Sequence, residues 1–183
     1  MTIRYAILGF LSWRPLTGYD LKKMFADSAY FHWSGNNNQI YRTLVELHRE
    51  GLVTQEVQVQ ESYPPRKVYT ITEAGRAALR AWLLSPPELP QLRNPFLAQL
   101  AWADQLAPAE LDALLAQYEH EVEMQLLMRR EQERRGSPSP ARTPRETYLW
   151  RMIAEAWIST YENELAWVRK LRRDLGGQEG ALS

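Results

Sequence analysis

At Gly51 the spacing of apolar residues changes from that of a helix to that of a strand, and this switch limits what the chain can fold into. Ahead of it, Ile40, Leu44 and Leu47 recur at i, i+4 and i+7, the period of a one-sided helix. Behind it, "LVTQEVQVQ" alternates apolar and polar residues, "ESYPP" turns, and "RKVYTIT" returns with β-branched side chains, which reads as a hairpin. Thr72 then caps a closing helix over residues 73–84, with Ala77, Leu79 and Leu83 among its apolar positions. Upstream, residues 3–13 are apolar at helical spacing, and Thr17 is a good cap for a helix over residues 18–28. Three helices, a two-stranded hairpin and a closing helix within residues 1–84 is the order of a winged helix-turn-helix.

Beyond that unit the pattern is helical and longer. The stretch "SPPELPQLRNP", residues 85–95, holds four prolines and marks a boundary. From Pro108, Leu111, Leu114, Leu115, Tyr118, Val122 and Leu126 form one apolar stripe. A turn over residues 134–144, "RRGSPSPARTP", leads to a second helix carrying Trp150, Ile153, Trp157, Tyr161, Leu165, Val168 and Leu171. Helices of this length, roughly 40 Å at 1.5 Å per residue, cannot bury their stripes against a compact neighbour alone and call for partners. The expected fold is mainly α: a winged helix-turn-helix over residues 1–84, a linker over 85–95, a long-helix dimerisation domain over 96–175, and a frayed tail over 176–183. A two-fold pairing would set two reading helices about 34 Å apart, one turn of duplex.

Composition narrows the function. The 183 residues include no cysteine, which removes disulfides and thiolate metal ligands and fits a reducing cytoplasm. No run approaches the roughly 18 apolar residues of a bilayer span, so a soluble cytoplasmic protein without a membrane partner is expected. Net charge is zero, against indiscriminate coating of nucleic acid. Residues 1–84 nonetheless carry ten Lys and Arg against seven Asp and Glu, whereas residues 85–183 carry twelve against fifteen, so the basic part is N-terminal. His32, His48 and His120 have neither HExxH nor HxH spacing, and no GxSxG elbow or glycine-rich phosphate loop is present. Nothing supports catalysis or a cofactor.

The stretch "GNNNQIYRTLVELHREGLV" places amides at the mouth of a helix, where asparagine caps well but propagates poorly, with Ser34 or Asn36 as the cap. The second helix of a helix-turn-helix enters the major groove with its N-terminal residues against base edges. Asn and Gln pair bidentately with adenine, and Arg with guanine. Asn37, Asn38, Gln39 and Arg42 occupy the first turns, away from the Ile40, Leu44 and Leu47 stripe, and Tyr41 beside them could reach a phosphate. A solvated cap would account for the amides alone; Arg66 and Lys67, opening the returning strand where a wing lies along phosphates, favour the reading of a duplex.

"YAILGFLSWRPLTGYDLKKMF", "QIYRTLVELHREGLV" and "PRKVYTITEAGRAALRAWL" resemble the PadR family of bacterial transcriptional regulators, and "NPFLAQLAWA" with the long helices resembles its virulence-activator branch. The resemblance implies an N-terminal DNA-binding domain and a C-terminal helical dimerisation domain. It places Tyr19, Tyr41 and Arg42 near DNA and Arg66 and Lys67 on a basic wing, and gives the asparagine run no fixed counterpart. The candidate contacts to double-stranded DNA are then Tyr19, Lys22, Asn37, Asn38, Gln39, Tyr41, Arg42, Arg66 and Lys67. Repression of a partly palindromic promoter by a homodimer is the expected activity; a winged unit used only for protein contacts is the alternative. Tyr118, Trp150, Trp157, Tyr161 and Trp167 are candidates for the dimer interface or for the pocket of an aromatic effector.

Overall fold

The computed structural model describes residues 3–27, 37–59, 65–89, 94–136 and 140–178. The expected caps Ser34 and Asn36, His32, most of the hairpin turn, part of the linker and the last five residues lie outside the described residues. The chain divides into two compact units, Met1–Glu88 and Leu89–Ser183.

The first unit begins with α1 (Ile3–Leu11), whose Ile7, Leu8 and Leu11 are fully buried. It ends two residues short of the expected Trp13, because the Ser12 and Trp13 amides donate to Leu8, Gly9 and Phe10 carbonyls and tighten the last turn. Strand β1 (Leu16–Thr17) was not legible from spacing: two buried residues are too few for an alternating signature. It corrects the expected two-stranded hairpin to a three-stranded sheet. Helix α2 (Gly18–Asp27) opens with a reciprocal cap, in which the Asp20 amide donates to the Thr17 hydroxyl at 3.1 Å and the Thr17 amide and hydroxyl donate to the Asp20 carboxylate at 2.9 and 2.7 Å.

Helix α3 (Asn37–Arg49) buries Ile40, Leu44 and Leu47, the latter two completely and each worth about 2 kcal/mol. Gly51, at φ 72°, supplies the left-handed residue that stops it: the Gly51 amide donates to the His48 carbonyl and the Leu52 amide to the Leu47 carbonyl. The hairpin pairs β2 (Val53–Gln58) with β3 (Arg66–Ile71) in antiparallel register from Val53 opposite Ile71 to Gln58 opposite Arg66, and β1 pairs with the other edge of β3. Helix α4 (Glu73–Leu83) is capped by the Thr72 hydroxyl, which accepts from the Gly75 amide. Of its expected apolar face only Leu79 packs on the core; Ala77 and Leu83 are exposed. Gly75 takes the inward place instead, since a Cβ there would lie 2.1 Å from the Leu52 carbonyl oxygen, and Trp82 stacks on Tyr5 of α1 at 4.8 Å.

In the second unit, α5 (Pro95–Ala101) starts on the last residue assigned to the linker, because Asn94 caps it and proline suits its first turn. A short 3-10 helix (Ala103–Gln105) leads to α6 (Pro108–Arg135) and α7 (Pro144–Gln178). α6 and α7 pack on one another, joined by Arg130 to Glu162, Arg169 to Glu119 and Glu123, and Arg172 to Asp112 and Glu119. The stripes expected to need outside partners thus cover each other in part, burying Leu115, Val122, Leu126, Leu165 and Val168. α7 also runs through Gly176 and Gly177 to Gln178, three residues into the expected tail.

Candidate nucleic-acid interface

The outward side of α3 follows from its inward one. Opposite Ile40, Leu44 and Leu47, the positions Asn38, Arg42, Val45 and Arg49 fall at i, i+4, i+7 and i+11, and all four are exposed. Asn37 opens the helix, and Gln39 is exposed on the flank of the same face. The structure therefore brings Asn38, Gln39 and Arg42 onto one solvent-facing surface. Sequence spacing stopped at Arg42; extending its period by one and two turns would have added Val45 and Arg49.

Tyr41 lies on the side of α3 that meets α2. A Cβ at Gly18 would sit 2.4 Å from the Tyr41 Cε1, so the missing side chain at the start of α2 is what lets the ring lie there. The Tyr41 side chain remains exposed, as do Tyr19 and Lys22 on α2. Beneath, the Tyr69 hydroxyl donates to Gln55 Oε1 at 3.2 Å across the β2 and β3 pair. Burial, and the neighbouring Tyr41, push the Tyr69 phenol up.

At the wing, Arg66 and Lys67 are exposed at the start of β3, and Arg66 Nε donates to Gln58 Oε1 at 3.4 Å. Burial pushes the Asp20 carboxyl up, but bonds from the Thr17 amide and hydroxyl outweigh it, and the charges of Arg66 and Arg14 add to them, so the group stays below the usual carboxylate range. The start of α2 and the wing are thus electrostatic neighbours, with Arg14 and Arg66 supplying positive charge near one carboxylate.

The aromatic candidates of the second unit form two groups. Tyr118 stacks under Phe96 at 3.6 Å between centroids and donates to Glu164 Oε1 at 2.5 Å, while Trp167 meets Phe96 edge-on at 6.3 Å. Burial, then the Glu164 bond, pushes the Tyr118 phenol up to about 12. Trp157 and Tyr161 flank the Arg129 guanidinium at 5.8 and 6.0 Å. Trp150 is half-buried on α7. A groove of about 290 Å³ runs between α6 and α7 over Leu126, Leu127, Leu165 and Ala166, bracketed by Glu123, Arg130, Glu162 and Arg169, and none of the five aromatic candidates lines it.

Among the described residues no group of three or more histidine or carboxylate side chains could hold a metal ion, and no helix is long and apolar enough to cross a membrane.

Residues 7–81 match the transcriptional regulator PadR-like family, and residues 92–176 match the region described as virulence activator alpha C-term. The negative transcriptional regulator PadR of Bacillus subtilis is 35% identical over 89 residues, 49% of this chain and 49% of that protein, so the chain aligns with about half the length of this relative. The crystal structure of Bacillus subtilis PadR in complex with operator DNA superposes with a TM-score of 0.82 at 23% identity, covering 94% of this chain and 98% of that one. A further crystal structure of that protein contains p-coumaric acid. The Vibrio cholerae virulence activator AphA superposes with a TM-score of 0.72 at 29% identity, covering 97% and 99%. With a winged helix-turn-helix followed by a pair of long helices, and with both parts matched, the chain belongs to the PadR-like family of transcriptional regulators, in the branch that carries the virulence-activator C-terminal region.

Proposed function

We propose that this regulator is a homodimer that binds a partly palindromic promoter site and acts as a repressor. The observation that carries the reading is the outward line of α3, where Asn38 and Arg42 stand exposed on the side opposite a fully buried aliphatic spine. Asn38 and Gln39 suit adenine and Arg42 suits guanine, each by a bidentate pair at the groove edge. Tyr19, Lys22, Tyr41, Arg66 and Lys67, exposed on α2, α3 and the wing, would meet phosphates, fixing register without reading sequence. The operator complex of Bacillus subtilis PadR, and that protein's description as a negative regulator, favour DNA as the partner and repression as the outcome.

Homodimerisation is supported by what the long helices leave uncovered. Leu127, Met128, Tyr148, Leu149 and Ile153 remain at least two-fifths exposed after α6 and α7 have packed together. An aromatic effector is proposed for the same unit, by analogy with the p-coumaric acid bound to Bacillus subtilis PadR and from the Trp157, Tyr161 and Arg129 cluster. Quenching of tryptophan emission by aromatic acids would support it, and a flat titration across a broad panel would count against it.

The experiment for the main reading is a gel-shift titration across ionic strength. Replacing Arg66 and Lys67 together with Ala should weaken binding to every duplex alike and make the logarithmic salt slope shallower by about two. An unchanged slope would remove the wing from the interface.

A further inference from the structure

We propose that Val45 is a specificity-determining residue that reads the 5-methyl group of a thymine in the major groove. The inference rests on the DNA-reading function proposed above and adds an apolar contact to its amide and guanidinium ones.

Val45 is 60% exposed although the inward side of α3 is closed by Ile40, Leu44 and Leu47. It stands one step beyond Arg42 on the line Asn38, Arg42, Val45, Arg49. A single exposed aliphatic residue elsewhere on a surface would need no explanation. Here it interrupts a row of polar side chains, and a β-branched residue in a solvent-facing helical position forms helix less well than the Lys, Glu or Gln that the position could hold. The side chain is therefore unfavourable for the isolated unit and suited to an apolar surface brought to it.

The major groove offers one such surface. Among the four bases only thymine presents a methyl group there, and short apolar side chains are its usual contacts. The same face carries groups matched to the remaining edges, Asn38 to adenine and Arg42 to guanine, so a methyl reader completes a set rather than standing apart. Geometry also places the target. Val45 lies seven residues from Asn38, about 10 Å along the helix axis at 1.5 Å per residue. The groove path per base step is longer than the 3.4 Å axial rise, so the target lies about two to three base pairs from the pair that Asn38 meets.

The test uses the full-length protein. Bound duplexes are selected from a random pool, and each thymine of the resulting site is replaced singly by deoxyuridine, which removes the methyl group and leaves base pairing intact. One thymine, about two to three base pairs from the position whose preference Asn38→Ala relaxes, should lose about fourfold in affinity on this change, the weight of one buried methyl group. The loss should vanish in Val45→Ser, an exposed polar substitution of similar helix propensity whose thermal unfolding should match that of the unaltered protein. If no thymine is sensitive, or if the loss persists in Val45→Ser, the inference is overturned while the DNA-reading function stands. A pool that returns no consensus overturns both.

Discussion

The two units use their apolar residues in opposite ways. In the first, α1, α3 and the sheet enclose Ile7, Leu8, Leu11, Leu44, Leu47 and Val53, and the solvent side of α3 is polar except for Val45. In the second, α6 and α7 bury one stripe against each other yet keep Met124, Leu127, Met128, Tyr148, Leu149 and Ile153 exposed. A short amphipathic helix held on a closed core presents a rigid polar face, which is what a reading surface needs. Long helices with apolar residues on more than one side present surface that another subunit can cover, which is why we propose dimerisation through the second unit.

The sharpest way to break this contrast is a pair of leucine truncations. Leu44→Ala should cost about 3 kcal/mol of stability in the first unit, independent of protein concentration, because it leaves a cavity in a sealed core. Leu127→Ala, at a half-exposed position, should change folding of the isolated chain by less than about 0.5 kcal/mol. Its effect should appear instead as weaker association by sedimentation. Equal losses in denaturant titrations at low concentration would mean that the second unit is as closed as the first.

Gly75→Ala should be next in size, at about 2 kcal/mol in thermal unfolding, since the new methyl would meet the Leu52 carbonyl oxygen, a backbone atom with no rotamer to escape into. A neutral result would show that α4 can slide on the β2 entry, and that the first unit is less tightly built than its core implies.

A smaller effect separates the units by pH. The Tyr118 phenol must stay protonated to donate to Glu164, and its folded value of about 12 lies above its ordinary value near 10. Its contribution is therefore complete below about pH 10 and is lost as pH rises towards 12. Unfolding of the second unit followed across that window should show a steeper decline than Tyr118→Phe, whose curve should be flatter. Identical slopes would remove the phenol from the balance of forces.

Much of the first unit was legible because its elements are governed by local signals. Thr17, Gly51 and Thr72 start or stop helices by backbone geometry that depends on a few neighbouring residues, and the alternation from Val53 onward assigns β2. Strand β1 was not legible, since two residues carry no period and its existence depends on Tyr69 and Val68 lying opposite. The inward glycine of α4 was missed for a related reason: apolar spacing ranks leucine and alanine, whereas close approach of Leu52 requires no side chain at all. In the second unit the stripes were readable but their mutual pairing was not, because spacing says which face is apolar and nothing about what covers it. For the reading surface, the line from Asn38 to Arg42 followed from period; the same period reaches Val45, but an apolar residue is not counted on a polar face until its exposure shows it turned to solvent.

The central claim is that the outward face of α3 reads bases while the wing and α2 hold the backbone. The most direct test is selection of bound duplexes by the unaltered protein, by Arg42→Ala and by the Arg66 and Lys67 double alanine variant. Loss of Arg42 should relax preference at one guanine by about 1 to 3 kcal/mol, and the wing variant should weaken all sequences while leaving the consensus intact. A consensus unchanged by Arg42→Ala, or one rewritten by the wing substitutions, would contradict this account.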